Sequence, residues 1–98
     1  MENGKVLDMQ LLYVEDDENI RKVYERYLKR KVKSLIVAVN GEDGLNMYLK
    51  HKPDLIVTDI KMPIMNGLEM SREIRNIDNA IPIIVTTAHT ETEFFQEA

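Results

Sequence analysis

The chain has 98 residues, 44% hydrophobic and 31% charged, the balance of one small globular domain and not of a disordered segment. It has no cysteine, which excludes disulfide frameworks, thiolate metal sites and cysteine nucleophiles, and which suits a reducing, cytoplasmic setting. A formal net charge of −4 argues against direct nucleic-acid binding through phosphate contacts, and no apolar run approaches the roughly 20 residues that span a bilayer. In chain order, the first apolar run is Leu11-Leu12-Tyr13-Val14. Ile20, Val23, Tyr24, Tyr27 and Leu28 follow at helical spacing and predict a helix with one apolar stripe, with Arg21, Lys22, Glu25, Arg26 and Lys29 on its solvated face. The second run, Leu35 to Val39, is followed by Asn40 as a helix cap, acidic Glu42 and Asp43, and inward Leu45, Tyr48 and Leu49, with His51 solvated at the helix end and Pro53 closing it. The third run, Leu55-Ile56-Val57, leads through a loop punctuated by Asn66-Gly67 to Leu68, Met70, Ile74 and Ile77 at helical spacing. Pro82 precedes the fourth run, Ile83-Ile84-Val85, and Thr90 to Ala98 reads as the start of a last helix capped by Thr90 with Glu93 three residues on.

These runs are continuous, not alternating, as in strands buried on both faces. Helices between them predict a parallel sheet with right-handed crossovers. Ligands of such sheets bind at the carboxyl ends of the strands, so the residues that follow each run carry the chemistry. The first strand ends in Glu15-Asp16-Asp17, the third in Thr58-Asp59 and the fourth in Thr86-Thr87-Ala88-His89. Carboxylates converging on one edge repel, and a hard divalent cation with oxygen ligands resolves the conflict. A single acidic residue there is explained by helix capping, and Asp59 alone by a loop turn. Three acids in a row, opposite another strand end, exceed either need.

The acidic pair, Asp59 followed by Lys61-Met62-Pro63 and Asn66-Gly67, and Thr87-Ala88 at the fourth strand together resemble the receiver domains of two-component response regulators over essentially the whole chain. The resemblance implies a flavodoxin-like, three-layer α/β/α fold with strand order 2-1-3-4, the family's fifth strand and helix absent and residues 1–98 forming a C-terminally truncated receiver domain. It implies Asp59 as phosphoacceptor and a Mg2+ site made by Glu15, Asp16, Asp59 and the main-chain carbonyl of Lys61. Thr87 and Ala88 would bind the phosphoryl group and report it, and Asp17, Lys61 and His89 would modulate its lifetime. The implied partners are a sensor histidine kinase or phosphotransfer protein and an output domain or target, with no membrane partner. The uncovered fourth strand and the terminal helix predict a homodimer or element-swapped assembly. Two other readings are a Mg2+-dependent phosphohydrolase with an Asp nucleophile and a phosphorylation-silent interaction module. The first expects Asp-x-Asp-x-Thr after the first strand, where this chain has Glu15-Asp16-Asp17-Glu18.

Overall fold

Short runs of leucine, isoleucine and valine that are apolar on both faces suit strands inside a covered sheet, where every backbone group finds a ladder partner. The structure, a computed structural model, describes residues 5–86 and places each run in a strand. The elements are β1 (Leu7–Val14), α1 (Glu18–Leu28), β2 (Val32–Ala38), α2 (Gly41–His51), β3 (Leu55–Asp59), α3 (Gly67–Ile77) and β4 (Ile83–Thr86). The order is β2-β1-β3-β4 and every pairing is parallel, the flavodoxin-like α/β arrangement. The segment from Thr87 onward, with the expected last helix, Ala88 and His89, lies outside the described residues.

One sheet face packs against α2 and α3. Leu12 and Val14 of β1, Ala38 of β2 and Ile56 of β3 meet Tyr48, Met70 and Ile74 in the buried core, with Ile81 closing it beside β4. The alternate residues, Leu11 and Tyr13, are also buried. They face α1, whose Tyr24 ring lies 6.1 Å from that of Tyr13 at a 53° tilt.

The helix starts are chemically explicit. Asp17, Asn40 and Asn66 each cap a helix with a side-chain oxygen that accepts a backbone N–H of the first turn. Asn66 and Glu69 form a reciprocal capping box at α3. At the other end of α2, Lys52 takes the left-handed conformation, and Pro53 prevents continuation.

No residue of α1 is buried: Val23 is 64% exposed, and Tyr24 and Tyr27 are also exposed. The stripe keeps its helical period, and its Tyr24 and Tyr27 lie uncovered, as the resemblance to a receiver domain without its last helix implies. Two placements need correction: Leu49 of α2, expected inward, is exposed, as are Leu68 and Ile77 of α3. Arg21 is not on a purely solvated face, because its side chain turns back onto the end of β1.

Beyond α3 the chain turns into β4 around Asp78. One carboxylate oxygen of Asp78 accepts from the N–H groups of Ala80 (2.9 Å) and Ile81 (3.3 Å), and the other from the Tyr48 hydroxyl (3.4 Å). The bond from Ala80 is the main reason the Asp78 carboxyl titrates below its ordinary value, with Ile81, Tyr48 and the Arg75 charge assisting. A lowered carboxyl pKa contributes stability that is complete above the ordinary carboxylate range and is lost as pH falls through the lowered value. Asp78→Asn is therefore expected to be less stable than the parent at neutral pH, with the gap narrowing below about pH 4. Urea unfolding at the two pH values measures this, and a gap independent of pH would contradict it.

Candidate metal centre

Strand register sets the site. Val14 pairs with Thr58 and Asp59 pairs with Thr86, so Glu15 and Asp59 leave neighbouring strands at the same level. Glu15, Asp16 and Asp59 offer carboxylate oxygens that all lie within 4.8 Å of one another. Glu15 is 1% exposed and Asp59 is fully buried. Of the four carboxylates expected at this edge, three converge. The fourth, Asp17, caps α1 through its Oδ1, which accepts the N–H of Ile20 at 3.0 Å.

The acidic turn is held from several sides. The Glu15 N–H donates to the carbonyl of Ala38 in β2. Its Oε2 accepts the Asp17 N–H at 3.1 Å. Oδ1 of Asp16 is buried and accepts no hydrogen bond from the described residues. A buried carboxylate oxygen with unused lone pairs, facing two further carboxylates, fits a hard cation with oxygen ligands such as Mg2+. Nearby, burial and then the charges of Glu15, Tyr24 and Asp59 push the Tyr13 hydroxyl pKa well above its ordinary value, while the Arg21 charge acts in the opposite direction.

The loop from β3 to α3 is positioned as closely. Gly67 opens α3 directly against β3, its N–H bonded to the Ile60 carbonyl at 2.8 Å. The Thr58 hydroxyl donates to the Asp59 carbonyl at 2.9 Å. Lys61 is exposed two residues past Asp59. Further on, Met65 N–H bonds back to Pro63 across Ile64, whose φ of 70° is unusual for a β-branched residue. The Met65 carbonyl accepts the Gly41 N–H at 2.9 Å, which latches this loop to the start of α2. Met62 and Met65 pack on the core from the same loop.

Sequence reasoning missed Arg21. Its Nη1 donates to the carbonyls of Glu15 and Asp16. The signal available was its place one turn after the acidic pair. Thr87, Ala88 and His89 lie outside the described residues.

Comparison with known proteins agrees with this geometry. The family model of the response regulator receiver domain matches residues 11–98. The chain is 42% identical over 81 residues to the transcriptional regulatory protein AfsQ1 of Streptomyces coelicolor, covering 83% of this chain and 36% of that protein. It is 39% identical over 83 residues to the response regulator ArlR of Staphylococcus aureus, covering 85% and 37%. It thus spans little more than a third of the length of these relatives. Among solved structures, the N-terminal domain of an uncharacterized Wolinella succinogenes protein superposes with a TM-score of 0.77 at 33% identity, covering 95% of this chain and 73% of that one. The chemotaxis response regulator CheY4 of Vibrio cholerae does so with 0.74 at 26% identity, covering 87% and 74%. The parallel order of strands, the acidic edge and a family model that spans nearly all of the chain lead to one assignment: this chain belongs to the response regulator receiver domains.

Proposed function

We propose that Asp59 accepts a phosphoryl group from a phosphohistidine on a sensor histidine kinase or phosphotransfer protein, and that the modified domain signals to an output domain or target. The observation that carries this reading is the convergence of Glu15, Asp16 and Asp59 within 4.8 Å at the strand ends. Asp16, Asp59 and the Lys61 main-chain carbonyl would hold Mg2+ directly, with Glu15 acting through water. When bound, Mg2+ would offset the repulsion between a carboxylate nucleophile and an anionic phosphoryl group. In the transfer, an Asp59 carboxylate oxygen forms the new bond to phosphorus as the bond from the donor imidazole breaks. The fixed end of β3, held through the Asp59 carbonyl, sets the direction of that approach. Thr87 and Ala88 are assigned to phosphoryl binding, and Lys61 and His89 to its lifetime, from the family pattern.

The domain is read as a cytoplasmic signalling module that transfers phosphate to itself and does not turn over an external substrate. Among the described residues, no helix is long and apolar enough to cross a membrane. The comparisons favour neither the phosphohydrolase nor the silent module. Incubation with Mg2+ and acetyl phosphate is expected to add one phosphoryl group per chain by intact mass. Steady release of phosphate from a phosphomonoester, with no phosphorylated protein, would overturn the reading.

The reading extends to a second copy of the chain. Among the described residues β4 pairs on one side only, with β3, and Ile84 is 51% exposed. Such edges recruit other strands. Sedimentation is expected to show a dimer at micromolar concentration, and a lone monomer would refute that part.

A further inference from the structure

Arg21 belongs to the first turns of α1, where its own N–H bonds to the Asp17 carbonyl. Its side chain runs backward past the helix cap. Nη1 donates to the Glu15 carbonyl at 2.9 Å and to the Asp16 carbonyl at 3.3 Å. One half-buried guanidinium thus ties the start of α1 to both residues of the acidic pair. Guanidinium keeps its charge at all accessible pH values and holds several donors in one rigid plane. A bond from it to a main-chain carbonyl restrains the backbone from which the carboxylate side chain projects.

We propose that Arg21 is a positioning residue for the divalent cation: by gripping the Glu15 and Asp16 carbonyls it keeps their carboxylates in register with Asp59. This inference rests on the reading of the acidic cluster as a Mg2+ site. Without the grip, three carboxylates crowded within 4.8 Å relax apart under their mutual repulsion. The positive charge of Arg21 has a second, opposite effect, because any nearby cation disfavours metal binding. The two effects separate by a comparison of ions. Mg2+ and Ca2+ carry the same charge, so loss of the Arg21 charge changes both affinities alike. They differ in geometry: Mg2+ demands near-octahedral oxygens at about 2.1 Å, whereas Ca2+ accepts longer, less regular ligation. A positioning role therefore shows in the ratio of the two affinities.

The experiment is calorimetric titration of the 98-residue chain with Mg2+ and, separately, Ca2+, for the parent, Arg21→Met, Arg21→Lys and Asp16→Asn. Arg21→Met is expected to lower Mg2+ affinity roughly tenfold, the scale of effects of groups that orient metal ligands, and Ca2+ affinity by less than about threefold. Arg21→Lys keeps the charge but lacks the planar fork, and its ratio is expected to fall between those of parent and Arg21→Met. Asp16→Asn removes a ligand and is expected to weaken both ions together. A Mg2+ to Ca2+ ratio in Arg21→Met equal to that of the parent would overturn the positioning role, whether or not both affinities change. If Arg21→Met does not fold by circular dichroism, the ratio in Arg21→Lys decides in the same way. A parent chain that binds neither ion would instead refute the Mg2+ reading itself, and the role of Arg21 with it.

Discussion

Asp59→Asn is expected to abolish phosphoryl incorporation from acetyl phosphate while leaving the fold in place. Asparagine has the shape of aspartate, and the pairing of position 59 with Thr86 is a backbone matter, so the sheet has no reason to change. The amide oxygen is not a carboxylate nucleophile, and no acyl phosphate can form on it. The variant also removes one of the three charges that face each other within 4.8 Å. At roughly 4 Å and an effective dielectric of about 20, a pair of unit charges interacts by about 4 kcal/mol. A divalent ion feels more, before desolvation is subtracted. A tenfold loss of Mg2+ affinity, about 1.4 kcal/mol, is therefore a lower bound. The stabilisation that saturating Mg2+ gives the parent by mass action should fall by at least the same amount. Thermal melts with and without Mg2+ read the second effect, and borohydride trapping reads the first. Label on Asp16, Asp17 or Asp54 in the parent would sink the assignment. Asp54 is a useful control: it lies before β3, at the opposite end of the strand, with its carboxylate on the Gln10 N–H.

Gly67→Ala is expected to cost about 3 kcal/mol or more, a large part of the roughly 5–15 kcal/mol that stabilises a domain. A methyl group at this position would overlap the Asp59 carbonyl oxygen and would lie 3.1 Å from the Thr58 hydroxyl. Adding a methylene-sized group to a core usually costs about 1–3 kcal/mol, because side chains give way. Here the obstruction is main chain in the last residue of a buried strand, which cannot move without carrying the acidic pocket with it. The Gly67 N–H bond to the Ile60 carbonyl would be strained by the same displacement. The folded fraction should therefore also phosphorylate poorly. A urea midpoint that places the variant within about 0.5 kcal/mol of the parent would show that the loop has slack the structure does not reveal.

Much of this architecture is legible in the sequence because it depends on short-range chemistry. The continuous runs mark all four strands, and Asn40 marks its helix start through the side-chain oxygen that an N-cap requires, whereas Asn66 read only as loop punctuation. Strand limits were harder to read. β1 begins at Leu7, where Leu7-Asp8-Met9-Gln10 alternates and pairs irregularly with β2, with a register shift between Leu7 and Gln10. Leu7 and Asp8 are both exposed, and full burial begins only with the apolar run after them. The exposure of Leu49 was not legible, since helical spacing names a stripe but not how wide a face the core covers. At the site, Glu15, Asp16 and Asp59 could be brought to one edge because they follow parallel strands, and the resemblance to receiver domains picked them out of the four acids there. Arg21 could not, because a charged residue on a helix gives no sign that its side chain turns back toward the preceding strand.

The sheet order has a consequence for how the chain is made. The order allows each later strand to add to an open edge: β2 to β1, β3 to the other side of β1, and β4 to β3. No strand has to insert between two that are already paired, which is the costly step in assembling a sheet with distant partners. The acidic pocket follows the same timetable. A nascent chain that has released β1, α1 and β2 holds Glu15 and Asp16 at an open sheet edge. Only the docking of β3, four strand residues ahead of Asp59, closes the pocket around them. Competence to bind a cation thus requires β1 and β3 to have met, since Glu15 and Asp16 follow the one and Asp59 ends the other.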